Sequence, residues 1–252
     1  MKQNIYDNEV FFEGYNTMRN TKKGTSANDL IEIPTIRSML PDLKDKKILE
    51  LGCGFGENCS YFVQNGANHV IGIDISNNML NLAKESIQDE KVEFKNLAME
   101  DISKLKEKFD LVVSSLAIHY VENFEKLLSD VYSLLNSGGY FIFSQEHPIE
   151  TGTILNDKCN GKDNIDLGDK NYYLVSDYNV NGKRVVDWNS CGVVKYHRNF
   201  SYIINSIIKS GFIIEKILEP IPDDELLQVK PKYKNQFDRP YFLFVKLSKK
   251  GE

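Results

Sequence analysis

Two groups of residues in this 252-residue chain have side chains or backbone freedom that could do chemistry. The first is the stretch ELGCGFGEN, where Gly52, Gly54 and Gly56 alternate between the carboxylates of Glu50 and Glu57. Glycines in a turn allow backbone angles and a close ligand approach that a Cβ would block, and a helix starting there offers unpaired N–H groups. Asp74 ends the next apolar run, HVIGID, so its carboxylate could accept the hydroxyls of a ribose diol while the glycines face the rest of the ligand. A phosphate-binding P-loop is excluded, because GxxxxGK[ST] and its lysine are absent. The second group is His119 in SSLAIHYV, His147 in SQEHPI and His197 in KYHRNF, side chains able to take or orient a proton near neutral pH.

The hydrophobic pattern supplies a scaffold for these residues. KKILEL, HVIGIDIS, VEFKNL, FDLVVSSLA and GYFIFSQEH read as strands. Between them, GENCSYFVQNG, NNMLNLAKESI, the polar ISKLKEK and NFEKLLSDVYSLLNSGG have helical spacing, with Ser76 as a cap and the last glycine pair as a stop. This alternation predicts an α/β fold whose mostly parallel sheet is covered on both faces. Open parallel sheets bind ligands beyond the carboxyl ends of their strands, and the glycine turn, Asp74, His119 and His147 all fall at that edge. Past Glu150, NYYLVSDYNVNGKRVVDW reads as a hairpin turning at Asn181-Gly182, with Tyr172, Tyr173, Tyr178 and Trp188 available to wall a small pocket. A helix in FSYIINSIIKSGF and strands in FIIEKILEP and PYFLFVKLSK complete the order. The expected organisation is one domain over residues 1–252, with a helical lid at 1–41 and an insertion at 150–196 above the site.

Composition narrows the partners. A hydrophobic content of 41% suits one substantial core, and 31 Lys and Arg against 36 Asp and Glu give no general positive field for nucleic acid or an anionic membrane. Four cysteines without a CxxC pair fit a reducing compartment. No signal-peptide pattern opens the sequence, and no apolar run approaches the roughly 18 residues of a membrane span. The expectation is a cytoplasmic protein with no membrane or nucleic-acid partner.

The acidic residue followed by GxGxG in ELGCGFGEN resembles the first motif of class I S-adenosylmethionine-dependent methyltransferases, in particular their type 11 small-molecule group. The resemblance runs on through GIDIS, NLAMED, FDLVVSSLAIHYV and NSGGYFIFSQEH. It implies a Rossmann-like seven-stranded sheet of order 3-2-1-4-5-7-6 with strand 7 antiparallel, an N-terminal helical lid and a β-hairpin insertion after strand 5. It also implies S-adenosyl-L-methionine as cofactor and S-adenosyl-L-homocysteine as product. Glu50, Gly52, Cys53, Gly54 and Gly56 would then form the cofactor turn, and Asp74 would hold the ribose. Ile75, Ala98 and Met99 would lie against the adenine, Glu100 at its amino edge and Ser115 in the loop behind the methyl donor. Asp101 fits a helix cap equally well, which would leave Glu100 facing water. FFEGYNTMRN and NDLIEIP resemble the lid of small-molecule members, with Tyr15 and Arg19 closing over the methionine portion and Arg19 pairing its carboxylate.

Methyl transfer from a sulfonium needs an aligned nucleophile and a dry, shaped site. The expected acceptor is an oxygen, nitrogen or carbon of a small molecule, with His119, His147 and His197 as catalytic candidates, either removing its proton or orienting it. The histidines lack the short spacing of a zinc site, and no metal is expected. RNA or protein acceptors are the alternative within this chemistry, although residues 114–120 read SSLAIHY rather than an NPPY-type signature. An NAD-dependent oxidoreductase would favour GxGxxG and would place Glu50 and Glu57 poorly beside a pyrophosphate. A catalytically silent cofactor-binding module completes the set.

Overall fold

Continuous apolar runs become the centre of a seven-stranded sheet. In the computed structural model, which describes residues 2–152, 164–166, 171–173, 175–188 and 191–251, the strands β1 (Lys47–Leu51), β2 (His69–Asp74), β3 (Val92–Asn96), β4 (Phe109–Ser114) and β5 (Leu135–Glu146) pair in parallel. The insertion holds two separate strand pairs, β6 (Asn164–Asp166) with β7 (Asn171–Tyr173) and β8 (Gly182–Trp188) with β9 (Cys191–His197). The last strands are β10 (Ile213–Leu218) and β11 (Phe242–Ser248), and β11 runs antiparallel to both β5 and β10. The sheet order β10-β11-β5-β4-β1-β2-β3 is the expected 3-2-1-4-5-7-6 once the insertion strands are set aside.

Helices α1 (Glu9–Thr21), α2 (Ile33–Ser38), α3 (Glu57–Gln64) and α4 (Asn77–Ser86) come from the first third of the chain. They are followed by α5 (Phe124–Leu134), α6 (Pro148–Thr151), α7 (Phe200–Lys209) and α8 (Asp224–Val229). The apolar stripe of α5, with Phe124, Leu128 and Val131, joins Leu49, Phe141 and Ile203 in one core layer. Ile36, Phe62, Ile48, Leu111 and Phe244 form the layer on the opposite face. A sheet buried on both faces is what such strand sequences require. Among the described residues no helix is long and apolar enough to cross a membrane.

Ser76 caps α4 as expected, its Oγ accepting from the Met79 N–H at 3.1 Å. Three local expectations are corrected. The hairpin does not turn at Asn181-Gly182: Gly182 opens β8 opposite His197, and the strands run to the Trp188–Cys191 pair. Asn181 Oδ1 accepts from the Asn199 N–H at 2.7 Å, tying down the open end of the hairpin. The glycine pair does not stop α5, which ends at Leu134; Gly138, at φ 74°, lies instead inside β5 where the β4–β5 register shifts. ISKLKEK forms only part of a 3-10 turn over Met99–Lys104, whose single buried residue, Ile102, gives it little to pack.

Candidate active site

The parallel pairing of β1 with β2 sets Leu51 beside Ile73 and carries the glycine turn to the Asp74 carboxylate. Cys53 N–H donates to the Ile73 carbonyl at 2.9 Å, and Gly54 N–H donates to Asp74 Oδ2 at 2.9 Å. Ser76 N–H donates to Asp74 Oδ1, also at 2.9 Å. Backbone donors thus hold both carboxylate oxygens and fix the orientation of the group at the edge of the cavity. Burial raises the Asp74 carboxyl pKa, and the Ser76 and Gly54 hydrogen bonds oppose that rise without cancelling it.

The glycines divide their work. A Cβ on Gly54 would meet nothing within 4 Å, so its φ of 53° presents backbone to open space. A Cβ on Gly56 would stand 2.7 Å from Ile87 Cδ1 and 2.8 Å from Phe94 Cζ. Gly56 therefore lets the turn pack on β3, while Gly52 and Gly54 are the glycines that line the cavity above it.

That cavity measures about 200 Å³. Glu50, Gly52, Cys53 and Gly54 line its base, Asp74 and Ile75 one wall, and Ala98, Met99 and Glu100 the next. Ser115, Tyr15 and Arg19 close the remaining sides. Glu50 is buried beneath the turn, accepting from Asn58 Nδ2 at 2.9 Å and from the Cys59 thiol at 3.0 Å. Burial pushes its carboxyl up to about 7, with Glu32 and Asp74 adding to the rise. Arg19 is already engaged by protein carboxylates, Glu57 Oε2 at 2.7 Å and Asp29 Oδ1 at 3.5 Å.

Several lining residues carried no local signal. Glu32 ends a π-helical turn over Asn28–Glu32 and is buried, accepting from Ser115 Oγ at 2.8 Å and Ser144 Oγ at 2.5 Å. Burial pushes its carboxyl up to about 6. Lys2, Gln3, Ile5 and Tyr6 also reach the cavity, and Asp7 anchors them. Asp7 accepts from Ser76 Oγ at 2.6 Å and from the Asn78 and Asn77 N–H groups at 3.0 and 3.2 Å. Burial would raise the Asp7 carboxyl, but these hydrogen bonds outweigh it and hold the group below its ordinary range. An acidic cap supplied from some seventy residues upstream leaves no pattern in the helix it caps.

A second cavity of about 680 Å³ opens beneath α1 and the β8–β9 hairpin. Tyr6, Tyr15, Arg19, Asn28, Leu116 and Tyr120 line both cavities and form their common wall. Tyr6 and Tyr120 hydroxyls meet there at 3.3 Å, and Tyr15 lies edge-on to Trp188 with ring centroids 5.7 Å apart. Leu116, at φ 48°, is a strained non-glycine residue at the same junction; its N–H donates to Ser144 Oγ at 2.9 Å.

Of the three candidate histidines, only His119 faces either cavity, and it lines the second. Its Nδ1 accepts a long 3.5 Å bond from the Glu146 N–H, which leaves the ring proton on Nε2. Burial drives its pKa down to about 4, keeping the ring neutral. His147 instead caps α6: Nδ1 accepts from Ile149 N–H at 3.1 Å and Nε2 lies 2.7 Å from Glu219. Fully buried His197 spans Thr151 Oγ1 and the Tyr178 carbonyl, both at 2.8 Å. His147 and His197 hold the base of the insertion in place and are not among the residues that line either cavity. Trp188 lines the second cavity, whereas the Tyr178 hydroxyl accepts from the Phe200 N–H at the start of α7. The Tyr172 and Tyr173 side chains, like Cys159, lie outside the described residues. Among the described residues no group of three or more His, Cys, Asp or Glu could hold a metal ion.

Comparison with known proteins accords with this geometry. A family model described as a methyltransferase domain matches residues 49–143. An S-adenosylmethionine-dependent methyltransferase from Mesorhizobium loti has a solved structure that superposes with a TM-score of 0.79 at 34% identity, over 89% of this chain and 98% of that one. A putative enzyme of the same kind from Listeria monocytogenes gives 0.74 at 34% identity, over 87% and 98%. A Haemophilus influenzae protein described as uncharacterized is 37% identical over 98% of both chains.

Proposed function

The chain belongs to the class I S-adenosylmethionine-dependent methyltransferases, and from that premise we propose that it methylates an oxygen, nitrogen or carbon of a small molecule held in the second cavity. The observation that carries this reading is the wall of Tyr6, Leu116 and Tyr120 common to both cavities, which sets a candidate acceptor space beside the cavity of the glycine turn.

The first cavity suits the family's cofactor. Asp74 would present a carboxylate fixed by backbone donors to a pair of vicinal hydroxyls, and a Cβ at Gly54 would enter space otherwise open to the ligand. Ile75, Ala98 and Met99 would hold the adenine, while the buried Glu50 and Glu32 carboxylates suit the cationic methionine end. When bound, S-adenosylmethionine supplies an electrophilic methyl group on a sulfonium.

The protein's part is position and dryness. Residues 1–41 act as a lid: Asp7 pins it to the start of α4, and Phe11 and Tyr15 pack edge-on against Trp188 at centroid distances of 5.4 and 5.7 Å. The β8–β9 hairpin of the insertion roofs the acceptor side. His119, neutral and carrying its proton on Nε2, orients the acceptor as a donor rather than removing a proton from it. Residues of both the lid and the hairpin border the second cavity, which favours a small molecule over an RNA or protein chain, and the proposed place of action is the cytoplasm. Calorimetric titration with S-adenosylhomocysteine and with NAD tests the cofactor: micromolar binding of the first and none of the second supports the reading, and the reverse overturns it.

A further inference from the structure

The β8–β9 hairpin brings three charged side chains to the second cavity that the expected catalytic set did not include, Arg184, Asp187 and Lys195, and Lys195 is the one paired with a carboxylate of the sheet. Lys195 on β9 is buried, and its Nζ lies 2.5 Å from Glu146 Oε1 at the end of β5 and 5.6 Å from the Trp188 ring centroid. Both residues line the cavity with His119 and Tyr120. The accessible partner is the acid: 28% of the Glu146 side chain is exposed against 9% of Lys195. One carboxylate oxygen is occupied by the lysine, and the other is open to a donor from the cavity. Lys195 also neutralises the carboxylate without covering it, so an incoming donor need not be charged. Of the other charged residues lining the cavity, which include Lys22 and Asp187, two arginines are engaged by other groups. Arg184 donates to the Gly152 and Val180 carbonyls at 2.9 and 2.6 Å, and Arg239 pairs with Glu150.

We propose that the Glu146–Lys195 pair is the acceptor-binding site of this enzyme. The acceptor class is a small molecule with an aromatic or apolar body, received by Trp188, Tyr15 and Tyr120, and a hydroxyl or amine N–H donated to Glu146. The proposal rests on the methyltransferase reading and adds to it the acceptor's polar group and the residues that grip it. Although burial pushes the Glu146 carboxyl up, the Lys195 charge outweighs it and holds the group below its ordinary range, so near neutral pH it only accepts hydrogen bonds. Such a site favours donors and disfavours acceptor-only anions.

Trp188 is the chain's single tryptophan, so its fluorescence reports this cavity alone. The protein saturated with S-adenosylhomocysteine is titrated with benzyl alcohol, benzylamine and benzoate, three probes of one size that differ in their polar group. The expected result is quenching by the alcohol or the amine at lower concentration than by benzoate. Glu146→Gln should weaken the donor probes by about tenfold or more, the usual scale for a hydrogen bond to a charged group. Because that variant strands the Lys195 charge, the pair Glu146→Leu with Lys195→Met is tested alongside; it should fold, bind S-adenosylhomocysteine and lose the preference for donors. Benzoate binding tightest, no response of Trp188 to any probe, or folded Glu146 variants that bind the donors like wild type would each overturn the proposal. Failure of S-adenosylhomocysteine to bind at all would strike the methyltransferase reading itself and is measured separately by calorimetry.

Discussion

Gly54 and Asp74 are joined by a backbone-to-carboxylate hydrogen bond of 2.9 Å, so the turn after β1 and the acid that ends β2 form one unit. Two substitutions test it. Gly54→Val adds a branched side chain where φ is 53°, a left-handed backbone that strains it, and where no protein atom lies within 4 Å of its Cβ, so it should both strain the turn and enter the ligand's space, lowering cofactor affinity. Asp74→Ala should cost about 1 to 3 kcal/mol of cofactor binding, the scale for hydrogen bonds to a charged group. Calorimetric titration of both variants with S-adenosylhomocysteine measures this, and wild-type affinities would remove these residues from the cofactor site.

Asp7 should act as the latch of the lid. Asp7→Ala removes the acceptor for Ser76 Oγ and for the Asn77 and Asn78 N–H groups, with a loss of about 1 kcal/mol typical of a helix cap. Amide exchange at Asn77 and Asn78 should quicken, and cofactor affinity should fall as Tyr6 leaves the common wall. Because the Asp7 pKa is lowered on folding, its contribution is present at neutral pH and is lost as pH falls through the lowered value. Unchanged exchange at these amides would show that the lid is held elsewhere.

Glu50 gives the cofactor cavity a pH signature. Its folded-state value of about 7 lies above that of an unfolded glutamate, so it costs the empty protein stability as pH rises from roughly 4 towards 7. A cationic amino group entering the cavity favours the ionised form, so binding S-adenosylhomocysteine near pH 7 should release a proton. Titrations in two buffers of different ionisation enthalpy should give different apparent binding enthalpies, and Glu50→Gln should shrink that difference. Equal enthalpies for the wild type would contradict this role.

His119 should matter to turnover more than to cofactor affinity. A ring held neutral down to about pH 4 produces no inflection in saturated turnover between pH 6 and 7. His119→Ala should slow turnover by less than the roughly 10²-fold that begins the range for a general base, and His119→Asn should recover part of the loss by restoring a donor. A wild-type rate that rises through pH 6.5 and is flattened in His119→Ala would restore the base.

The sheet was legible because parallel strands buried on both faces are largely apolar runs, as in VIGI of β2 and LVV of β4. The glycine turn and Asp74 were legible because their spacing is local to two adjacent strands. Asn181-Gly182 misled because a two-residue turn signal competes with hairpin register, which the pairing of all seven β8 residues with β9 decides. Glu32, Asp7 and Lys195 were hidden for a different reason. Each acts on a partner far along the chain, Glu32 on Ser115 and Ser144, Asp7 on Ser76, and Lys195 on Glu146, and no periodicity records such contacts.

The two-cavity account is tested most directly by a crystal structure of the S-adenosylhomocysteine complex. It should show the ribose hydroxyls on Asp74, the adenine between Ile75 and Met99, and the sulfur directed past Leu116 and Tyr120 into the second cavity, within reach of the Glu146 side. A ligand lying along Gly54 with its sulfur turned away from Tyr120, or bound outside the first cavity, would contradict it.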